Sequence, residues 1–236
     1  ILGARSWGDG YIQGTDFVAY SYFVNISKRL GENHELSLTA LGAPQWHNQR
    51  NRNDKMSVEA WKELNDTKYN PTYGFATRDG KKVRKVSSYN KYHKPQISLN
   101  HLWQINDKSS LSNVLYMSLG RGGGYGGQGK KKSAWYGTYG GVPSSYRAED
   151  GTFAYDSVYN LNEKSTSGSL MAMAMSKNEH NWYGLISTYT TKLGQYFDLY
   201  GGIDLRYYKG KHYNKLVDLY GGEYFIDDSR KNVKYK

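Results

Sequence analysis

The stretch WYGLISTYTTKLGQYFDLYGGIDLRYY, residues 182–208, decides the fold class. After the turn at Gly194-Gln195, Phe197, Leu199, Ile203, Leu205 and Tyr207 alternate with Asp198, Tyr200, Asp204, Arg206 and Tyr208. Successive side chains of a strand point to opposite faces, so this period of two predicts a hairpin with one apolar and one polar face. Working back along the chain, the same rhythm recurs twice. Gln96 to Ile105 sets Ile97, Leu99, Trp103 and Ile105 against Ser98, Asn100 and Gln104, turns at Asn106-Asp107-Lys108, and returns through Leu115, Met117 and Leu119. Thr15 to Leu30 carries Val18, Tyr20, Tyr22, Val24 and Ile26 on one face, turns at Gly31-Glu32-Asn33, and returns through Leu36, Leu38 and Ala40.

Composition agrees with strands. The 236 residues include 24 Tyr and 27 Gly, and aromatics make up 15% of the chain while all hydrophobic residues reach only 38%. That leaves few aliphatic side chains for a helical bundle or a doubly wound α/β interior, and disorder is excluded because disordered chains are poor in aromatics. Cysteine is absent, which removes disulfide frameworks and Cys-based metal sites. No apolar run is long enough for a transmembrane helix. The opening ILGARSWGDGYIQG lacks the cationic start and apolar stretch of a signal peptide, so the chain reads as starting in the middle of something.

The spacing of the turns carries the architecture. Short turns lie near residues 31, 107 and 194, whereas Pro44 to Tyr92 and Arg121 to Asn181 are long, polar connections rich in Gly and Tyr. Short turns at one end and long loops at the other mark outer-membrane β-barrels, and strands of roughly 10–15 residues suit tilted membrane spans. Trp46, Tyr92, Trp103, Trp182, Tyr207 and Tyr208 fit aromatic girdles. The expected fold is therefore all-β: antiparallel strands of a transmembrane β-barrel, about three hairpins belonging to a larger barrel, with long extracellular loops. Ser57 to Leu64 reads as a short helix capped by Ser57. Leu170 to Met175 is open between helix and strand.

No motif for enzyme chemistry is present. Gly122 to Gly127 matches G-x-G-x-x-G but no helix pattern follows it. The six histidines have no metal-ligand spacing, and no nucleophile elbow exists. GRGGGYGG with Lys130, Lys131, Lys132 and the cations of 81–85 has the composition of an RNA-binding segment; because these charges fall in expected loops rather than along one strand face, the reading is a solvated surface able to meet anionic lipopolysaccharide. No catalytic residue, no metal and no cofactor is expected. The substrate-facing candidates are Asp198, Tyr200, Asp204, Arg206 and Tyr208 on a wet wall, together with the loop residues Trp46, His47, Trp135 and Tyr136.

Five phrases carry a family resemblance: YHKPQISLNHLW (92–103), YMSLGRGGGYGG (116–127), HNWYGLISTYTTKL (180–193), GGIDLRYYKGKHY (201–213) and VDLYGG (217–222). They resemble barrel segments of TonB-dependent outer-membrane receptors of the Bacteroidota type, over most of Thr15 to Gly222. The resemblance implies a bacterial outer-membrane protein importing a siderophore, cobalamin, oligosaccharide or peptide, with TonB, a surface substrate-binding lipoprotein, and outer-membrane lipid and lipopolysaccharide as partners, and no nucleic acid. Neither a plug domain nor a TonB box is matched, and about six strands fall short of the roughly 22 of a plugged barrel. Residues 1–236 are thus read as one partial β-barrel domain. A soluble or surface-tethered carbohydrate-binding β-protein, with Tyr and Trp as stacking platforms, is the alternative.

Overall fold

The computed structural model describes residues 1–50, 57–85, 88–131, 144–228 and 233–235. Among the described residues the structure is mostly antiparallel β-sheet, with 63% of them in strands and two short helices. In chain order the first elements are β1 (Leu2–Gly8), β2 (Phe17–Leu30), β3 (His34–Gly42), β4 (Gln45–Asn48), α1 (Val58–Leu64), β5 (Gly74–Arg78) and β6 (Lys81–Lys85). Then come β7 (Tyr89–His93), β8 (Gln96–Asn106), β9 (Ser109–Gln128), β10 (Phe153–Ala154), α2 (Tyr155–Glu163), β11 (Ala172–Leu193), β12 (Phe197–Asp218), β13 (Phe225–Asp227) and β14 (Val233–Tyr235).

Nine strands build the main sheet, and β9 pairs with both β7 and β8. Two prolines account for the double pairing, each interrupting one strand without shifting its register. Tyr22 pairs with Gly42 and Ala19 with Gln45, the same offset on either side of Pro44; likewise Leu41 pairs with Gln96 and Gln45 with Tyr92 across Pro95. The proline carbonyls still accept, from Tyr20 N–H at 2.9 Å and Leu119 N–H at 3.4 Å. Proline lacks a donor and removes only its own rung. β3–β4 and β7–β8 are each one long strand, and the sheet is a seven-stranded up-and-down meander in chain order. Among the described residues its edges are open: β1 pairs only with β2, and β12 only with β11.

The three short turns share one end. Asn33 carbonyl accepts from Gln104 N–H at 2.8 Å, and Lys108 carbonyl from Lys192 N–H at 3.0 Å. Gly31 and Gly194 each take φ of 69° in these turns, a left-handed conformation that glycine adopts without Cβ strain. The long connections gather at the other end, as the spacing predicts.

Directly paired residues of an antiparallel sheet share a face. One face carries Ile26, Leu38, Leu99, Leu115, Leu185 and Leu205 as a single row across six strands. The adjacent row is Val24, Ala40, Ile97, Met117, Tyr183 and Tyr207. The opposite face reads Asn25, Thr39, Ser98, Tyr116, Gly184 and Arg206, then Ser27, Ser37, Asn100, Val114, Ile186 and Asp204. Nearer the short turns a polar chain crosses the apolar face. His34 and His101 ring nitrogens meet at 3.0 Å, Asn113 bonds His101 at 3.3 Å, and Ser187 hydroxyl donates to Asn113 at 2.6 Å. Those groups satisfy one another between strands.

Among the described residues, the buried apolar core lies wholly at the loop end. Phe153, Tyr155, Val158, Tyr159, Met171, Met173, Tyr220 and Ala76 pack together there. Asn162, itself buried, ties this layer: its amide donates to the carbonyls of Met171 (2.7 Å) and Leu219 (2.9 Å) and its oxygen accepts from Leu170 N–H (2.9 Å). Among the described residues no second layer covers the aliphatic rows; Leu115 stays 57% exposed.

Several expectations need correction. There are seven long strands rather than six, because β1 was hidden in a short stretch without clean alternation. GRGGGYGG is not a solvated loop but part of β9, since β7 and β11 pair with it on both sides and satisfy its backbone. Trp46 and His47 lie in β4 rather than in a loop. Of the six expected girdle aromatics, Trp46, Trp103 and Tyr207 fall on the apolar face, while Tyr92, Trp182 and Tyr208 fall on the polar one. The helix after Ser57 is present, with Ser57 hydroxyl accepting from Ala60 N–H at 3.1 Å. Leu170 to Met175 resolves as the entry to β11.

Candidate functional site

The polar face of β11 and β12 presents one continuous strip. At its lower part Arg206 Nε donates to Asp204 at 2.9 Å, and the Tyr116 ring lies across Gly184, where a Cβ would fall 2.2 Å from the ring. Above this pair the strip turns aromatic. Trp182 and Tyr208 meet edge to face with centroids 5.9 Å apart, and Tyr208 hydroxyl hydrogen-bonds His180 Nδ1. His212 packs on His180 at 5.4 Å and bonds Asn178 Oδ1 at 2.6 Å. Asn178 amide reaches Tyr92 hydroxyl at 3.4 Å, across β9.

Glycine makes that crossing possible. A Cβ on Gly122 would sit 2.4 Å from both the Tyr92 ring and Lys91 carbonyl oxygen, so only glycine lets Tyr92 fold over β9. The glycine-rich sequence that resembled a nucleotide or RNA motif is therefore a flat floor beneath an aromatic platform. Trp182 and Tyr208 remain 40% and 53% exposed. Such a strip offers stacking surfaces together with amide, imidazole and hydroxyl groups.

Five sequence candidates, Asp198, Tyr200, Asp204, Arg206 and Tyr208, stand on this one face of β12. Asp198 and Tyr200 sit near the short turn, away from the platform. His47 shares the polar face but at the loop end of β4, and Trp46 points to the opposite face. Trp135 and Tyr136 lie outside the described residues. His180, His212, Trp182, Asn178 and Tyr92 were missed as site residues. The alternation through Tyr208 continues to His212, but its partner His180 is revealed only by cross-strand register.

Two charged clasps fasten the loop layer to the sheet. Burial pushes the Asp16 carboxyl up, yet hydrogen bonds from Asn48 (2.8 Å) and Arg84 (2.9 Å) outweigh it and hold the group below its ordinary value. Burial pulls the Lys85 ammonium down, and hydrogen bonds to Tyr159 and to Asp218 (3.0 Å) reverse this and raise it.

Comparison with known proteins finds no match: no family model, no curated protein and no solved structure is significantly similar to this chain. Among the described residues, no cluster of three or more metal-ligating side chains occurs.

Proposed function

We propose that this chain is part of the barrel wall of a TonB-dependent outer-membrane transporter that imports a siderophore, cobalamin, oligosaccharide or peptide. One observation carries the reading: an aliphatic row crosses six consecutive strands on a face that no other described residue covers. In water such a surface is a large exposed apolar patch; in a bilayer it is the lipid-facing band of a barrel. The two open edges support the same reading, because unpaired strand groups are not tolerated in hydrocarbon and require further strands.

On this reading the polar face lines the lumen. Transport involves no covalent chemistry. The Trp182, Tyr208, His180, His212 and Asn178 platform binds substrate, and its stacking surfaces with flanking amide and imidazole groups suit a ligand rich in hydroxyls. TonB and a surface substrate-binding lipoprotein are the expected partners. Two experiments test the proposal. Cell fractionation should recover the protein with the outer membrane and release it only with detergent; recovery in the aqueous fraction would favour a carbohydrate-binding protein instead. Cells lacking the protein should lose uptake of one nutrient in the named classes, and cells lacking TonB should lose the same uptake.

A further inference from the structure

Above the aliphatic rows, the lipid-facing side of the sheet changes character within one residue pair. Lys209 follows Tyr207 on that face, in the row of Asn181 and Leu119. The next row holds Lys211, Glu179, Arg121 and His93, and reaches Tyr20 and Arg5 at the far edge. One row further up stand Lys177 and Lys91, with Trp46 and Trp7 beside them. Glu179 is the lone acid in these rows, and it is engaged by Lys177 at 3.7 Å and Tyr213 hydroxyl at 3.1 Å. Arg121 is held by the carbonyls of Gly120 (2.8 Å) and His180 (3.0 Å) and by Asn181 Oδ1 (2.7 Å). Arg5 lies over the rings of Trp7 (4.6 Å) and Tyr20 (5.7 Å). Cations interleaved with Trp and Tyr directly above an apolar band form the pattern expected at a bilayer headgroup level.

We propose that Arg121, Lys209 and Lys211 hold the phosphate groups of an anionic lipid whose chains cover the aliphatic rows below. This rests on the membrane reading given above. Charge complementarity selects the occupant, since the rows carry a positive surplus and sit where headgroups begin. A zwitterionic lipid has no net charge to match it. Arg121 is fixed in place by three carbonyl-type contacts, so its remaining donors are presented without a large ordering cost, while Lys209 and Lys211 stand two residues apart on the same face of β12 as flexible point charges.

The test uses the intact protein in nanodiscs containing equal parts phosphatidylglycerol and phosphatidylcholine, with native mass spectrometry counting the lipids that stay bound. Wild type should be enriched in phosphatidylglycerol. The triple variant Arg121→Gln/Lys209→Gln/Lys211→Gln should lose that enrichment by on the order of a hundredfold, at roughly fivefold per charge near a lipid surface. The charge-preserving Arg121→Lys/Lys209→Arg/Lys211→Arg protein should retain it, which separates lost charge from lost folding. Lys192→Gln, on the opposite face, should change nothing. Equal enrichment in wild type and the Gln variant would overturn the proposal, as would displacement of bound lipid by inorganic phosphate, which would mark a site for free anions. A protein that fails to enter nanodiscs at all would overturn the membrane reading itself, whereas one that enters without lipid preference overturns this inference alone.

Discussion

Leu115→Arg separates a lipid-facing sheet from a water-facing one. Leu115 sits on β9 between Leu99 and Leu185, in the middle of the aliphatic row. From Ser109, where β9 begins, it is six residues along the strand, about 20 Å. At a tilt near 45° this is roughly 14 Å of depth, close to the middle of an apolar band about 25 Å tall. Arginine there should cost about 2–4 kcal/mol in a membrane-embedded barrel. In a soluble sheet the same change at a side chain already 57% exposed should stay within about 0.5 kcal/mol. The neighbour Val114 faces the other way, in the row of Asp204 and Asn100, so Val114→Arg should be tolerated in either setting. Denaturant titration of the intact protein in lipid vesicles, followed by tryptophan fluorescence, measures both variants. Leu115→Arg and Val114→Arg equal within about 0.5 kcal/mol would refute the facial assignment.

Gly122→Ala places a methyl 2.4 Å from Lys91 carbonyl oxygen and should destabilise by about 1–3 kcal/mol, whereas Gly201→Ala meets nothing within 4 Å and should be silent by the same titration. Asn162→Ala leaves the carbonyls of Met171 and Leu219 without their buried donor. It should cost about 1–3 kcal/mol and speed proteolytic cleavage at 164–170. The Asp16 carboxyl has a depressed folded-state pKa, so the stability it contributes is present above the ordinary carboxylate range and is lost as pH falls through its folded value. Protection factors of the β6 amides, taken relative to the intrinsic exchange rate at each pH, should therefore fall on acidification in wild type and stay constant in Asp16→Asn. Trp182→Ala should weaken substrate binding while leaving membrane insertion intact, as read by uptake and by outer-membrane recovery.

The all-β class, the three short turns and their common end were legible because alternation of Leu, Ile and Tyr with Ser, Asn and Asp is a local signal. The extent of the strands was not. Gly120 to Gly127 has no side-chain alternation to read, and its strand character comes from β7 and β11 pairing on either side. Pro44 and Pro95 look like strand ends in sequence, yet the register passes through both. The platform was half visible: Tyr208 lies on a readable face, but His180 meets it from 28 residues away through cross-strand register. Polarity alone drew Asp198 and Tyr200 into the candidate set, and their distance from the platform follows from their position beside the short turn.

The central claim is that one face of this sheet touches lipid, and the absence of cysteine makes it directly measurable. Single cysteines placed in turn at residues 110–118 of β9 and spin-labelled in the intact, membrane-reconstituted protein report accessibility to oxygen and to a water-soluble nickel chelate. Oxygen accessibility should peak at Leu111, Asn113, Leu115 and Met117, with chelate accessibility peaking at the even positions between them. A profile without that period of two, or one with the chelate reaching Leu115 and Met117 as freely as Val114 and Tyr116, would contradict the account.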